Sequence, residues 1–340
     1  MKPTAKHFTE KTGNGGGHGG ELPVRGSGWW WTALGSERRR VVRGFGDVAD
    51  SRTFRIGEYF IAAAGAWRRS YASRMLLAVE QVKRMRGGAQ AQLMRCSNGG
   101  YYVVKFQNNP QGRRILANEL LGTRLARRIG LPSPEPEVIE VREDLIAHTD
   151  ELVIQLGRGR ALCSAGKQFG SRYPGEPAKT VVYDFLPDEQ LREVTNLGDF
   201  LGVLVFDKWT CNTNGRQAIF HRDREGDGER YRAQMIDHGF CFNACEWNFP
   251  DAPLRGLYAR HRVYEQVRGA DAFEPWIARV ERITESDLDK DYSGIPPEWF
   301  EGDFDAIERL MAQLVRRKKL VRELVISAWK SSAQPFRNWR

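Results

Sequence analysis

Between Ala91 and Pro136 the chain passes from two apolar strands to a helical period and then to a series of prolines, and this succession constrains the fold more than any other stretch. Residues 91–95 and 101–106 are strand-forming runs separated by the turn Ser97-Asn98-Gly99-Gly100, so a hairpin is expected there. After Pro110 the apolar residues Leu116, Leu120, Leu121, Leu125 and Ile129 recur at helical spacing. Gly130 stops that helix, and Pro132, Pro134 and Pro136 keep it from resuming. Further short strands are expected at 138–141 and 152–155. The apolar run 180–186, closed by Pro187, suits a connector between two lobes.

Beyond that connector the chain turns helical. Residues 199–208 read as a buried helix, and 217–221 with 230–236 as a hairpin around the polar tip 223–229. Residues 272–283 and 304–329 carry amphipathic helical spacing. The run Arg316-Arg317-Lys318-Lys319 within the second reads as a solvated helix face.

The 340 residues suffice for one large two-lobed domain or two ordinary ones, and 41% hydrophobic content supports a sizeable core. Of the formal charge of +9, a net +7 falls on residues 1–74, which hold 13 Lys and Arg against 6 Asp and Glu. The remaining body is nearly neutral, which gives a nucleic-acid partner little support. Residues 1–74 also hold 13 of the 35 glycines, with Trp29-Trp30-Trp31 and Arg38-Arg39-Arg40 runs. They read as a Gly/Arg-rich, largely disordered extension, or as sequence upstream of a start at Met75. Gly15, Gly17 and Gly20 match a dinucleotide fingerprint in form only, because no strand precedes them and no helix follows. Five scattered cysteines and a start without a secretory pattern fit a reducing, cytoplasmic location. The longest uncharged apolar stretch, 59–67, falls short of the roughly 20 residues that span a bilayer.

Four places can carry chemistry. Lys105 ends an apolar strand and could aim its ammonium at phosphate oxygens, while Glu119, 14 residues on, could fix it from the next helix. Arg86-Gly87-Gly88-Ala89-Gln90 precedes the first hairpin strand, and glycines there let a backbone approach phosphates closely. Asp207 and Asn212 form an Asp-x-x-x-x-Asn run. Asp237 follows a short apolar run in Met235-Ile236-Asp237-His238-Gly239. One Asn and one Asp supply hard oxygen ligands of the kind that hold Mg²⁺ on a triphosphate. Cys241 and Cys245 lack a second ligand pair for zinc and read as small buried thiols. Ser164 and Ser171 show no nucleophile elbow, and no Walker-type phosphate loop is present.

Taken in order, Gly88-Ala89-Gln90, Val103-Val104-Lys105-Phe106, Asn118-Glu119, the 206–214 loop and Ile236-Asp237-His238-Gly239 resemble the HipA-like kinases. The resemblance spans roughly residues 75–258. It implies a two-lobed, protein-kinase-like α+β fold with a small β-rich N-lobe at 75–186 and a mostly helical C-lobe at 187–340. It also implies ATP and Mg²⁺ in the cleft, and a protein Ser/Thr or small hydroxyl as phosphate acceptor. Members of the family serve as toxins beside an antitoxin; nothing in this sequence points to an antitoxin. By the resemblance, Gly87, Gly88, Gln90, Lys105 and Glu119 belong to nucleotide binding, and Asp237 is a metal ligand. The catalytic loop admits two alignments. The family pattern places Asn214 where a catalytic Asp is usual and Ile219 where an Asn is usual. The Asp-x-x-x-x-Asn spacing instead makes Asp207 the base and Asn212 the metal ligand. An alternative to an active kinase is a catalytically impaired pseudokinase or scaffold that still binds nucleotide.

Overall fold

The computed structural model describes residues 75–222 and 230–340. The expected disorder of residues 1–74 and the expected hairpin tip at 223–229 lie outside the described residues. The first part is strand-rich. Strands β1 (Leu76–Arg84), β2 (Gln92–Cys96), β3 (Tyr101–Lys105), β4 (Pro136–Val141) and β7 (Gly166–Arg172) close into a barrel in the order β1-β2-β3-β7-β4. All pairs are antiparallel except the closing one, where β1 runs parallel to β4 with Leu76 opposite Ile139. The β2–β3 hairpin stands where the sequence places it, with Leu93 opposite Val103.

Two barrel strands carry no apolar alternation that would announce them. After Leu76-Leu77-Ala78, β1 is mostly charged or polar, and two register shifts against β2 bend it. β7 reads Gly-Lys-Gln-Phe-Gly-Ser-Arg, yet it lies between β3 and β4. Its buried Gln168 is satisfied locally: the amide donates to the Ser164 and Ala165 carbonyls and accepts the Gln107 N–H at 2.8 Å. A buried polar side chain is tolerated inside a sheet on that condition.

Helix α1 (Arg114–Arg128) covers the barrel against β4 and β7 and is buried along most of its length. The short helix α2 (Glu143–Ala147) and the separate hairpin β5 (Val153–Leu156) and β6 (Gly159–Leu162) follow β4. Part of the expected connector becomes strand β8 (Val182–Tyr183), which edges a second sheet with β9 (Gln217–Arg222) and β10 (Tyr231–Ile236).

Helix α3 (Asp199–Thr210) is mostly apolar and buried on nearly every side, as a central helix must be, with Asp207 and Lys208 buried in its last turn. Helix α4 (Glu274–Glu281) packs against it, α5 (Glu285–Tyr292) packs against α1 instead, and α6 (Phe304–Arg317) and α7 (Val321–Trp329) pack against α3 again. One hydrophobic cluster fills the barrel around Met94, Tyr102, Val104 and Phe106. A larger one joins α1, α3 and the later helices around Leu120, Phe200, Phe206 and Trp209.

The long helical span expected at 304–329 is interrupted by a 3-10 turn at Lys318–Leu320. There the basic run departs from a solvated face. Arg317 is only 4% exposed and donates to Asp251 at 2.7 and 2.8 Å and to the Lys208 and Trp209 carbonyls. Lys318 donates to the Ile283 carbonyl. A fully paired guanidinium can be buried where a lone one cannot. Among the described residues no helix is long and apolar enough to cross a membrane.

Candidate active site

Alternation along β3 turns Tyr102 and Val104 into the barrel and so delivers Lys105 to the opposite face at the strand's end. There its Nζ is ion-paired with Glu119 of α1 and lies 2.5 Å from Asp237 Oδ1, just beyond β10. The other Glu119 oxygen accepts the His238 backbone N–H at 3.0 Å. Residues 14 and 132 positions away from Lys105 thus share one ammonium. Asp237 has φ of 62°, a left-handed conformation uncommon outside glycine, and Lys105 and Gln217 hold its two oxygens in place.

The charges reinforce one another. Burial alone would lower the Lys105 pKa, but the Glu119 and Asp237 carboxylates outweigh it and keep the ammonium above the ordinary lysine value. Burial opposes ionisation of Asp237 as well, yet the Lys105 ammonium holds its carboxyl down to about 2. Burial raises Glu119, with Lys105 working against that rise.

The cluster sits in a cleft of about 270 Å³ walled by the 86–91 loop, Val103, Phe169 and Met235. Gly87, Gly88, Gln90, Lys105, Glu119, Asn214 and Asp237, all singled out from sequence, line it together. Gly87 has φ of 120°, and Gly88 lies against the Gln111 amide, whose Oε1 is buried without a partner. The Gln90 side chain ties this loop to β5. It accepts the Gln155 N–H and donates to the Gln155 carbonyl, both at 2.8 Å, and it also accepts from Arg84. Its amide is therefore spent on holding the loop.

Asp207 and Asn212 are not brought into the cleft lining. Asp207 lies in the last turn of α3, fully buried, and both its oxygens are taken by the Arg216 guanidinium, the Nε contact measuring 2.9 Å. Asn212 donates to Asp207 Oδ1 at 3.1 Å and accepts the Asn214 N–H at 3.1 Å, and it is 1% exposed. These contacts brace the loop from beneath. Arg216 also donates to the Ile236 carbonyl and reaches His238 Nδ1 at 3.3 Å, so one guanidinium joins α3, the loop and the end of β10. Burial, then the Arg216 cation, holds the His238 pKa well below the ordinary value, and the ring is neutral.

Gln217 escapes both sequence alignments of the loop. In β9 the residues Ala218 and Phe220 are buried, and Gln217 and Ile219 take the other face and line the cleft. Gln217 stands opposite Ile236 in the β9–β10 ladder, and its amide donates to Asp237 Oδ2 at 2.6 Å. The period of two in the expected hairpin, read together with Asp237 at its end, was the signal available. Among the described residues no group of three or more His, Cys, Asp or Glu could hold a metal alone. The Asp237 carboxylate and a Gln217 amide turned to present its oxygen nevertheless make a hard-oxygen pair. Mg²⁺ takes such a pair when phosphates complete its shell.

A family model described as HipA-like kinase matches residues 78–328. No curated protein matches the chain. Among solved structures, a Helicobacter pylori proinflammatory kinase, CtkA, is similar at 14% identity and TM-score 0.47, over 75% of this chain and 97% of that one. The hydra Fam20 structure with sugar aligns at 12% identity and TM-score 0.41, over 76% and 86%. The Golgi casein kinase with Mn/ADP bound aligns at 10% identity and TM-score 0.39, over 76% and 73%.

Proposed function

The chain belongs to the HipA-like kinase family, and from that premise we propose that it binds ATP with Mg²⁺ in this cleft and phosphorylates a hydroxyl, on a protein Ser/Thr or a small molecule. The observation that carries the proposal is the convergence of Lys105, Glu119 and Asp237 on one ammonium at the cleft wall. A strand lysine paired to a glutamate on the following helix, facing a metal-binding aspartate, is the arrangement that orders triphosphates in protein kinases.

When bound, the magnesium nucleotide supplies the γ-phosphoryl group, which bonds to the acceptor oxygen as its bond to the β-phosphate oxygen breaks. Lys105 binds phosphate oxygens, and Glu119 keeps its amine aimed at them. Asp237, with the Gln217 amide turned to present its oxygen, would hold the metal, and the 86–91 loop offers backbone N–H groups. Asn214 lines the cleft where the acceptor would stand and can orient its hydroxyl, but an amide cannot take up the proton, which passes to solvent. Phosphoryl transfer relies on positioning and electrostatics more than on a base, so this is compatible with turnover.

The test is transfer from labelled ATP. Lys105→Ala and Asp237→Ala should each abolish it, and labelling that persists in both variants rejects the assignment. One observation favours a second reading, a pseudokinase that binds nucleotide silently: among the described lining residues the only carboxylates are Glu119 and Asp237, both already paired. That reading expects a melting shift with Mg²⁺-ATP and no labelling of self or substrate.

A further inference from the structure

Helix α1 presents Ile115, Asn118, Glu119 and Gly122 on one face, at helical spacing, to the segment that leaves Asp237. The approach is close. A Cβ on Gly239 would sit 2.7 Å from Ile115 and 2.9 Å from Glu119, and one on Gly122 would sit 2.9 Å from His238. At the centre lies Asn118, fully buried. Its Nδ2 donates to the Gly239, Cys241 and Ala244 carbonyls at 2.7, 3.2 and 2.7 Å, and its Oδ1 accepts the Trp247 indole N–H at 2.8 Å. Every hydrogen bond of the side chain goes to this one segment, with both amide hydrogens engaged.

That segment is strained. Phe242, Asn243, Ala244 and Trp247 all have left-handed φ, between 50° and 59°. Such residues persist only where surrounding contacts over-determine them, and they gather at functional sites. Arg114 stacks on Trp247 at 4.7 Å and donates to the Cys245 carbonyl. Farther along, Lys208 and Arg317 hold residues 251–253. Kinase segments in this place are commonly ordered by a phosphate that recruits arginines. Residues 239–260 contain no Ser or Thr, and the one hydroxyl, Tyr258, packs its ring against Phe200 at 4.6 Å.

We propose that Asn118 is a positioning residue that keeps the phosphotransfer site assembled by locking the segment after Asp237 to the helix carrying Glu119, so that activity requires no phosphorylation of the segment. The proposal rests on the kinase reading above. Glu119 neighbours Asn118 on the helix, and Gly239 lies two residues from Asp237. Release of the amide frees Asp237 to move relative to Lys105, while the 86–91 loop and apolar walls that hold the nucleotide stay in place.

The experiment uses the full chain, wild type against Asn118→Leu and the milder Trp247→Phe. It reads ATP affinity with and without Mg²⁺, kcat, hydrogen exchange of residues 239–247 without nucleotide, and the effect of phosphatase treatment. Asn118→Leu should lower kcat about 100-fold, as expected for a misplaced catalytic group. Trp247→Phe should lower it up to about tenfold, through one lost hydrogen bond. Nucleotide Kd without Mg²⁺ should change less than about threefold in both, exchange of 239–247 should quicken, and phosphatase should leave the wild-type rate unchanged. If Asn118→Leu does not fold, Trp247→Phe decides alone. Normal wild-type turnover with kcat unchanged in the variants overturns the proposal. So does a loss of affinity that accounts for the loss of rate, or inactivation by phosphatase. A wild-type chain that binds no Mg²⁺-ATP overturns the kinase reading itself, and this proposal with it.

Discussion

Two charge clusters stand on either side of His238, and they use the same chemistry to opposite ends. Lys105 with Glu119 and Asp237 borders the cleft, and the Lys105 and Asp237 side chains keep 12% and 17% of their surface exposed. Arg216 with Asp207 is sealed at 0% on both sides. An ion pair with residual access can exchange its partner for a phosphate oxygen or a metal. A sealed pair can only hold geometry, because opening it would strand a charge in the interior. Access, more than residue type or spacing, therefore separates the aspartate that borders the cleft from the one sealed beneath it.

The sharpest way to break this comparison is to remove one cation from each cluster. Arg216→Leu leaves the Asp207 carboxylate buried and unpaired and should cost about 3–5 kcal/mol of stability by denaturant unfolding. Asp207→Leu combined with Arg216→Leu should recover much of that loss, since an apolar pair of similar volume needs no desolvation. Lys105→Met removes a cation that water in the cleft can partly replace. It should cost less stability than Arg216→Leu while removing nucleotide binding. If Lys105→Met proves the more destabilising of the two, the distinction between open and sealed pairs is wrong.

The next effect concerns the cleft alone. On the proposed reading, Asn214→Asp adds a carboxylate to the cleft lining beside the acceptor, and should raise transfer by about 10²–10⁴-fold if proton removal limits the rate. Parallel gains in a pH-rate profile would identify the new group. Gln217→Leu should raise the Mg²⁺ concentration needed for half-maximal nucleotide binding by about 10–100-fold. Because Gln217 is exposed, its melting midpoint should barely move. Unchanged magnesium dependence would remove Gln217 from the metal site.

The same contrast explains what could be read from the chain itself. The β2–β3 hairpin and α1 were legible because apolar alternation and helical period write burial directly into sequence. Lys105, Glu119 and Asp237 were legible as an ordered set, since each ends or faces a regular element. The β1 and β7 strands were not, because a closed barrel lets a charged or glycine-rich strand survive on backbone hydrogen bonds contributed by its neighbours. The loop at 207–217 is harder to read by spacing for a different reason. Asp207 has the right type and interval for a base, but its environment depends on Arg216, and no spacing rule reports which carboxylate a guanidinium will capture. Asn118 looked like a mere neighbour of Glu119 until the strained segment lay across it.

The smallest effect tests the residue beside the sealed pair. Lys208 is 2% exposed, and its ammonium donates to the Ala252 and Pro253 carbonyls at 2.8 and 2.6 Å. Burial lowers its pKa to about 8, with Asp251 opposing the fall. In the unfolded chain the amine stays protonated to its ordinary value of 10.5. Between these limits the unfolded state binds more protons, so the cost of burying this ammonium, fully present below 8, is relieved as pH rises from about 8 towards 10.5, and the pH dependence vanishes below 8. Buried cysteines such as Cys241, pushed up to about 12, act in the opposite direction at alkaline pH, so total stability is a poor readout. The stability of wild type minus that of Lys208→Met isolates the lysine. That difference should be flat between pH 6 and 7.5, then shift in favour of wild type by at most about 1.4 kcal/mol per pH unit above 8. A difference that stays level to pH 10 would mean the ammonium is as well solvated as a surface lysine, and that water reaches the neighbourhood of Asp207 after all.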